Sequence, residues 1–275
     1  MLLALGSPTM SPMDTGLEGK AALVGGASRG IGRAIALGLA REGCAVAICA
    51  RNQETLDKAR DEIRNETGAK TLSLICDMAS YDDIKAAVAA AAEAFERLDI
   101  VVNNAGGPPT GAFDALDENY WQHALDQNLL SAVRTTREAL PHLRHSGSGR
   151  VINVTSVAVK QPIDGLMLSN ATRLGVVGWA KTLSRELAPE GITVNNICPG
   201  NIATERLISL IEERAKRQKQ SLEEAVALEE GRVPMGYLGD PEDVANLAVF
   251  FASNKARFIT GTTVQVDGGS TTAIM

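Results

Sequence analysis

Short aliphatic runs alternate along the chain with longer stretches in which apolar residues recur every three or four positions. The runs predict seven strands, near residues 21–25, 45–50, 71–75, 100–103, 151–154, 193–197 and 263–266. Between the first two, Ile31, Ile35 and Leu39 stand four residues apart and form one apolar helix face. Ile84, Val88, Ala91 and Phe95 do the same before the fourth run. Runs that are apolar throughout, rather than at alternate residues, predict strands covered on both faces and hence a parallel sheet. Right-handed crossovers then give an α/β fold with a doubly wound seven-stranded parallel sheet, the three-layer α/β/α Rossmann arrangement. No internal repeat or long Pro/Gly/Ser linker divides the chain. Residues 18–275 therefore read as a single domain, and residues 1–17 as a flexible N-terminal tail. The charge-rich segment 205–232 breaks the strand–helix rhythm. It is either a solvated helical pair or a helical lid over a cleft.

Composition narrows the partners. The chain has 275 residues, 45 % hydrophobic and 22 % charged, with a formal net charge of −6. That balance argues against nucleic acid or an anionic membrane surface as the main partner. No run approaches the ~18 apolar residues of a membrane span. The N-terminal stretch lacks the parts of a secretory signal. Cys44, Cys49, Cys76 and Cys198 each lie in or beside an apolar run, with no Cys-x-x-Cys pair. They read as buried, reduced thiols of a cytoplasmic protein. His142 and His145 suit a helix C-terminus, and no metal site is expected.

The first run leads into Gly25-Gly26-Ala27-Ser28-Arg29-Gly30-Ile31-Gly32, after which a helix opens. Glycines between a strand and a helix allow a tight turn and a close approach of backbone to a diphosphate. The helix N-terminus adds free N–H groups and a positive dipole end. The second run ends in Ile48-Cys49-Ala50-Arg51-Asn52, without the acid that would hold an NAD ribose. Arg51 and Arg29 suit a 2′-phosphate instead, so NADP(H) is the expected cofactor and NAD(H) the less favoured one. The competing reading makes Arg51 a solvent-facing side chain.

These motifs resemble those of the short-chain dehydrogenase/reductase family over about residues 18–271. The family's glycine loop matches Gly26, Gly30 and Gly32, and Asn103-Asn104-Ala105-Gly106 matches its element after the fourth strand. Asp77, followed by Met78, matches the acid that contacts adenine. Pro199-Gly200, with Ile202 and Thr204, matches the stretch beside the nicotinamide. Thr260-Gly261 and Val266-Asp267-Gly268-Gly269 match the C-terminal signature. Within the family the spacing most resembles the 3-oxoacyl-(acyl-carrier-protein) reductases. The resemblance implies Ser28, Arg29, Ile31, Arg51, Asn104, Ala105, Gly106 and Arg173 as further cofactor contacts, and a homotetramer or homodimer.

The family's catalytic set is Asn, Ser, Tyr and Lys. The resemblance puts Asn128 and Ser156 at the first two, but Ser169 at the tyrosine and Arg173 at the lysine. Their spacing still sets both on one helix face. A phenol titrates near ~10, whereas a serine hydroxyl is a far weaker acid and arginine stays protonated. Tyr120, eight residues before Asn128, reads as a helix-start or loop position. Three functions fit: an NADPH-dependent carbonyl reductase with an atypical proton-transfer site, a reductase of conjugated enoyl or dienoyl thioesters, or a non-catalytic NADP(H) sensor or scaffold. The substrate would be a small molecule or an acyl thioester. Lys160 is either surface or a contact for a phosphopantetheine phosphate.

Overall fold

The computed structural model describes residues 14–274. Its centre is a seven-stranded sheet, every pair parallel, in the order β3-β2-β1-β4-β5-β6-β7. The strands are β1 (Ala21–Val24), β2 (Ala45–Ala50), β3 (Thr71–Ile75), β4 (Ile100–Asn103), β5 (Arg150–Val154), β6 (Thr193–Pro199) and β7 (Thr263–Val266). The order reverses between β1 and β4, and ligands of such sheets bind at that crevice. β6 runs two residues further than its aliphatic run, because Cys198 and Pro199 still pair with Gln265 and Val266.

Two helical layers cover the sheet. Helices α1 (Gly30–Arg41), α2 (Gln53–Thr67) and α9 (Pro241–Ala252) bury Ile35, Leu39, Leu56, Val244 and Phe251 against one face. Helices α3 (Tyr81–Phe95), α5 (Ser131–Ser146) and α6 (Met167–Leu187) bury Ile84, Val88, Leu143 and Ala180 against the other. Each fully buried aliphatic side chain of this kind contributes roughly 1.5–3 kcal/mol. Helix α4 (Glu118–Ala124) runs into α5 through a π-helical turn, Leu125–Leu130. Tyr120 lies in the first turn of α4 and is exposed. The segment after β6 forms α7 (Glu205–Gln218) and α8 (Leu222–Glu230), which share a small cluster of Ile211, Ala215, Ala225 and Leu238.

The expected tail, 1–17, lies outside the described residues as far as residue 13. Its last part is not a tail: Leu17 is fully buried in the core, and its carbonyl accepts from Cys44. The packed domain thus begins before residue 18, because Leu17 belongs to the same core cluster as Ile35, Leu39 and Cys44. All four cysteines are buried and free. Among the described residues no helix is long and apolar enough to cross a membrane.

Candidate active site

The glycine loop joins β1 to α1 at the crevice. Gly26 and Gly30 adopt positive φ of 56°. A Cβ on Gly32 would lie 2.4 Å from the Gly26 carbonyl oxygen, so only glycine lets helix and loop approach this closely. Asn104 holds the loop in place by donating to the Gly25 and Gly26 carbonyls at 3.0 and 3.3 Å. Arg29 is the N-cap of α1 but supplies no side-chain cap. The first N–H groups of the helix are therefore left for another acceptor. This cradle fits a dinucleotide diphosphate.

A trough runs along the carboxyl ends of the strands on both sides of this loop. One end, about 360 Å³, is lined by Ser28, Arg29, Arg51, Asn52, Asp77 and Met78, among others. The other end, about 420 Å³, is lined by Ile31, Ser156, Ser169, Arg173, Pro199, Thr204 and Arg206, among others. Gly26, Ala105, Gly106 and Gln127 border both. Arg29 forms an exposed ion pair with Glu205 at 3.2 Å.

At the larger end, Ser156 follows β5 and its Oγ accepts from the Ala158 N–H at 3.2 Å. Ser169 and Arg173 lie one turn apart on α6. Arg173 Nε donates to Ser169 Oγ at 3.2 Å, and Nη1 donates to the Val154 and Thr155 carbonyls, each at 3.0 Å. The serine oxygen acts as acceptor there, so its own O–H remains free to donate into the trough. Arg173 faces no carboxylate within 4 Å among the described residues. Burial, and then the charge of Arg206, push its pKa down to about 10.

Asn128 sits in the π-helical turn and donates to the Gly106 carbonyl at 3.0 Å. Its Oδ1 and that of Asn103 are buried without a protein partner among the described residues. Both residues line a cavity of about 10 Å³ behind Arg173, the size of a single water. Asn103 is held by a ladder across the sheet. Its amide donates to Asn153 at 2.8 Å, Asn153 donates to Asn196 at 2.9 Å, and Asn196 to Thr263 Oγ1 at 3.0 Å. These four residues are in register on β4, β5, β6 and β7.

The trough thus brings together nearly all the residues singled out from the sequence. Asn128 reaches it only through the small cavity. Ile202 does not line it: the side chain is buried in the core and packs toward Gly239. The sequence reading overlooked Arg206. Its guanidinium crosses from the first turn of α7 to donate to the Gly107 carbonyl at 2.9 Å. A cation in the first turn opposes the helix dipole, and that misfit was the available signal.

A family model described as enoyl-(acyl carrier protein) reductase matches residues 26–271. The chain belongs to the short-chain dehydrogenase/reductase family. This short-chain dehydrogenase/reductase is 36 % identical over 251 residues to the 3-oxoacyl-(acyl-carrier-protein) reductase of Staphylococcus aureus, a match covering 91 % of this chain and 97 % of the relative. L-Sorbose reductase from Gluconobacter frateurii, solved with NADPH and L-sorbose, superposes with a TM-score of 0.92 at 31 % identity. That match covers 95 % of this chain and 100 % of the other. An actinorhodin polyketide ketoreductase solved with NADPH gives 0.87 at 36 % identity, covering 91 % and 97 %.

Proposed function

We propose that this protein is an NADPH-dependent carbonyl reductase whose proton-transfer pair is Ser169 and Arg173. The observation that carries the reading is one trough with a guanidinium-lined pocket at one end and two serine hydroxyls beside a half-buried cation at the other. Relatives solved with NADPH, and relatives named for ketone reduction, support it. Ser28, Arg29, Arg51 and Asn52 would receive the 2′-phosphate, the α1 N-terminus the diphosphate, and Pro199, Gly200 and Thr204 the nicotinamide end. When bound there, NADPH supplies a hydride for the carbonyl carbon.

Ser156 and Ser169 donate to the carbonyl oxygen and so fix its position. As the C=O π-bond breaks, its electron pair moves onto oxygen. Arg173, one bond behind Ser169, stabilises that charge. The Ser169 hydroxyl gives its proton to the oxygen and regains one from water. Serine is a much weaker acid than a phenol, so this step is slow unless the cation lowers its cost. The double variant Ser169→Tyr with Arg173→Lys is expected to raise turnover on simple ketones about 100-fold, the usual scale of a good general acid. A folded double variant that binds NADPH but shows no gain would count against the assignment.

One observation also favours reduction of a conjugated double bond. The trough couples a fixed cation to a weak proton donor, which suits an enolate held until water protonates it. NADPH oxidation with enoyl thioesters but not with ketones distinguishes that reading.

A further inference from the structure

The charged residues lining the larger end of the trough are Arg29, Arg51, Arg173, Arg206 and Glu205. Glu205 is paired with Arg29. Arg51 also lines the smaller end, beside Asp77 and Asn52. Arg173 and Arg206 are left facing the same space, and neither has a carboxylate within 4 Å among the described residues. The pKa of Arg173 falls through burial and then through the charge of Arg206, and that of Arg206 falls through burial and then through the charge of Arg29. Arg173 is half-buried and Arg206 exposed, and two guanidinium groups lining one concavity with no carboxylate partner of their own repel each other, which a bound anion relieves.

Arg206 is also specifically placed. It sits in the first turn of α7, where its charge opposes the helix dipole. Nη1 and Nη2 donate to the Gly107 and Pro108 carbonyls at 2.9 and 3.4 Å, which turns the guanidinium back over the trough. The fit is close: a Cβ on Gly107 would lie 3.0 Å from Nη2. Arg206 bonds to the loop after β4 and lines the same end of the trough as Ser156 and Ser169, while also feeling the charge of Arg29 on the glycine loop.

We infer that Arg206, with Arg173 behind it, is an anion clamp for a carboxylate on the substrate, so that the preferred substrates are small oxo acids rather than neutral ketones or acyl thioesters. The inference rests on the carbonyl-reductase reading and deepens it. The carbonyl oxygen lies on Ser156 and Ser169, and the carboxylate lies toward Arg206. Bidentate pairing of carboxylate with guanidinium then fixes which carbon faces the nicotinamide.

The test uses acid and ester pairs: acetoacetate with methyl acetoacetate, and 2-oxobutyrate with its methyl ester. NADPH binding to the wild-type protein is titrated first, and its failure sinks the functional reading by itself. NADPH oxidation and thermal stabilisation of the NADPH-loaded protein are then measured with each pair. The acids are expected to be preferred over the esters by about tenfold or more, the scale of one charge-assisted pair. In Arg206→Gln that preference should shrink toward unity, and Arg206→Lys should restore part of it. Equal response to acid and ester across both pairs, absence of binding by both included, overturns the clamp. A loss of NADPH affinity in Arg206→Gln that matches the loss for the acid also overturns it, because the cation then serves the cofactor diphosphate.

Discussion

At the scale of single residues, the charged side chains lining the larger end of the trough are four arginines and Glu205. Arg173 has its pKa pushed down to about 10, by burial and then by the charge of Arg206. It is charged below that value and neutral above it, so the charge behind Ser169 disappears as pH rises through about 10. The rate of carbonyl reduction at saturating NADPH is therefore expected to be flat from about pH 6 to 9 and to fall near 10. A limb near neutrality in the wild-type profile would reveal a proton donor other than the Ser169–Arg173 pair. Cofactor choice is likewise decided by individual side chains. Arg29 already has Glu205 as a partner, whereas no acid pairs with Arg51 among the described residues. Arg51→Ala is expected to weaken NADPH about tenfold or more and to leave NADH affinity unchanged, as read by fluorescence titration. Equal weakening of both cofactors would return Arg51 to the solvent-facing reading.

Among the elements, α7 and α8 differ from the rest in how they are held. Helices α1 and α9 are anchored in the main core through Ile35, Leu39, Val244 and Phe251. The α7–α8 pair has its own small cluster, capped by Thr204 and Ser221 and tied by ion pairs of Glu229 with Arg214 and Arg232. A segment with few core contacts opens at lower free energy than the domain. Hydrogen exchange should therefore be faster over 205–230 than over α1 and α9, and NADPH should slow it, because Thr204, Glu205, Arg206 and Leu210 line the trough. Exchange indifferent to NADPH would leave the pair a mere surface feature. This segment also marks where sequence reasoning ends. The inner strands β1 and β2 were legible because parallel strands buried on both faces are apolar throughout, whereas the edge strands β3 and β7 are only partly buried and mix Thr, Ser and Gln with aliphatic residues. The glycine loop was legible because its backbone constraints dictate residue type. The direction of Arg206 was not, since it depends on the loop after β4 folding back across from α7. The amide ladder was hidden for the same reason: Asn103, Asn153 and Asn196 are 50 and 43 residues apart and meet only through strand register. Leu17 was read as tail because one leucine makes no periodic pattern.

For the whole molecule, the net charge of −6 conceals a trough lined by four arginines and one glutamate at its larger end. The bulk surface repels anions weakly while the trough attracts them, and the low-dielectric walls concentrate that field. Binding an anionic dinucleotide there should stabilise the entire fold, since the unfolded chain cannot assemble a cradle from β1, β4 and β6. At a cofactor concentration 100 times its Kd, the gain is about 2.7 kcal/mol. For a domain of this size, with ~2.1 cal/mol/K per residue of unfolding entropy, that is a rise in Tm of about 5 °C. NADPH should give this shift in differential scanning fluorimetry, and NADH at the same concentration a smaller one. Arg51→Ala links this scale to the residue. A tenfold loss of affinity removes about 1.4 kcal/mol, so the NADPH shift in that variant should fall by about 2 °C, toward the NADH value. A full shift retained in the variant would mean that the 2′-phosphate is held by other groups, with Ser28, Arg29 and Asn52 the candidates at the same end of the trough.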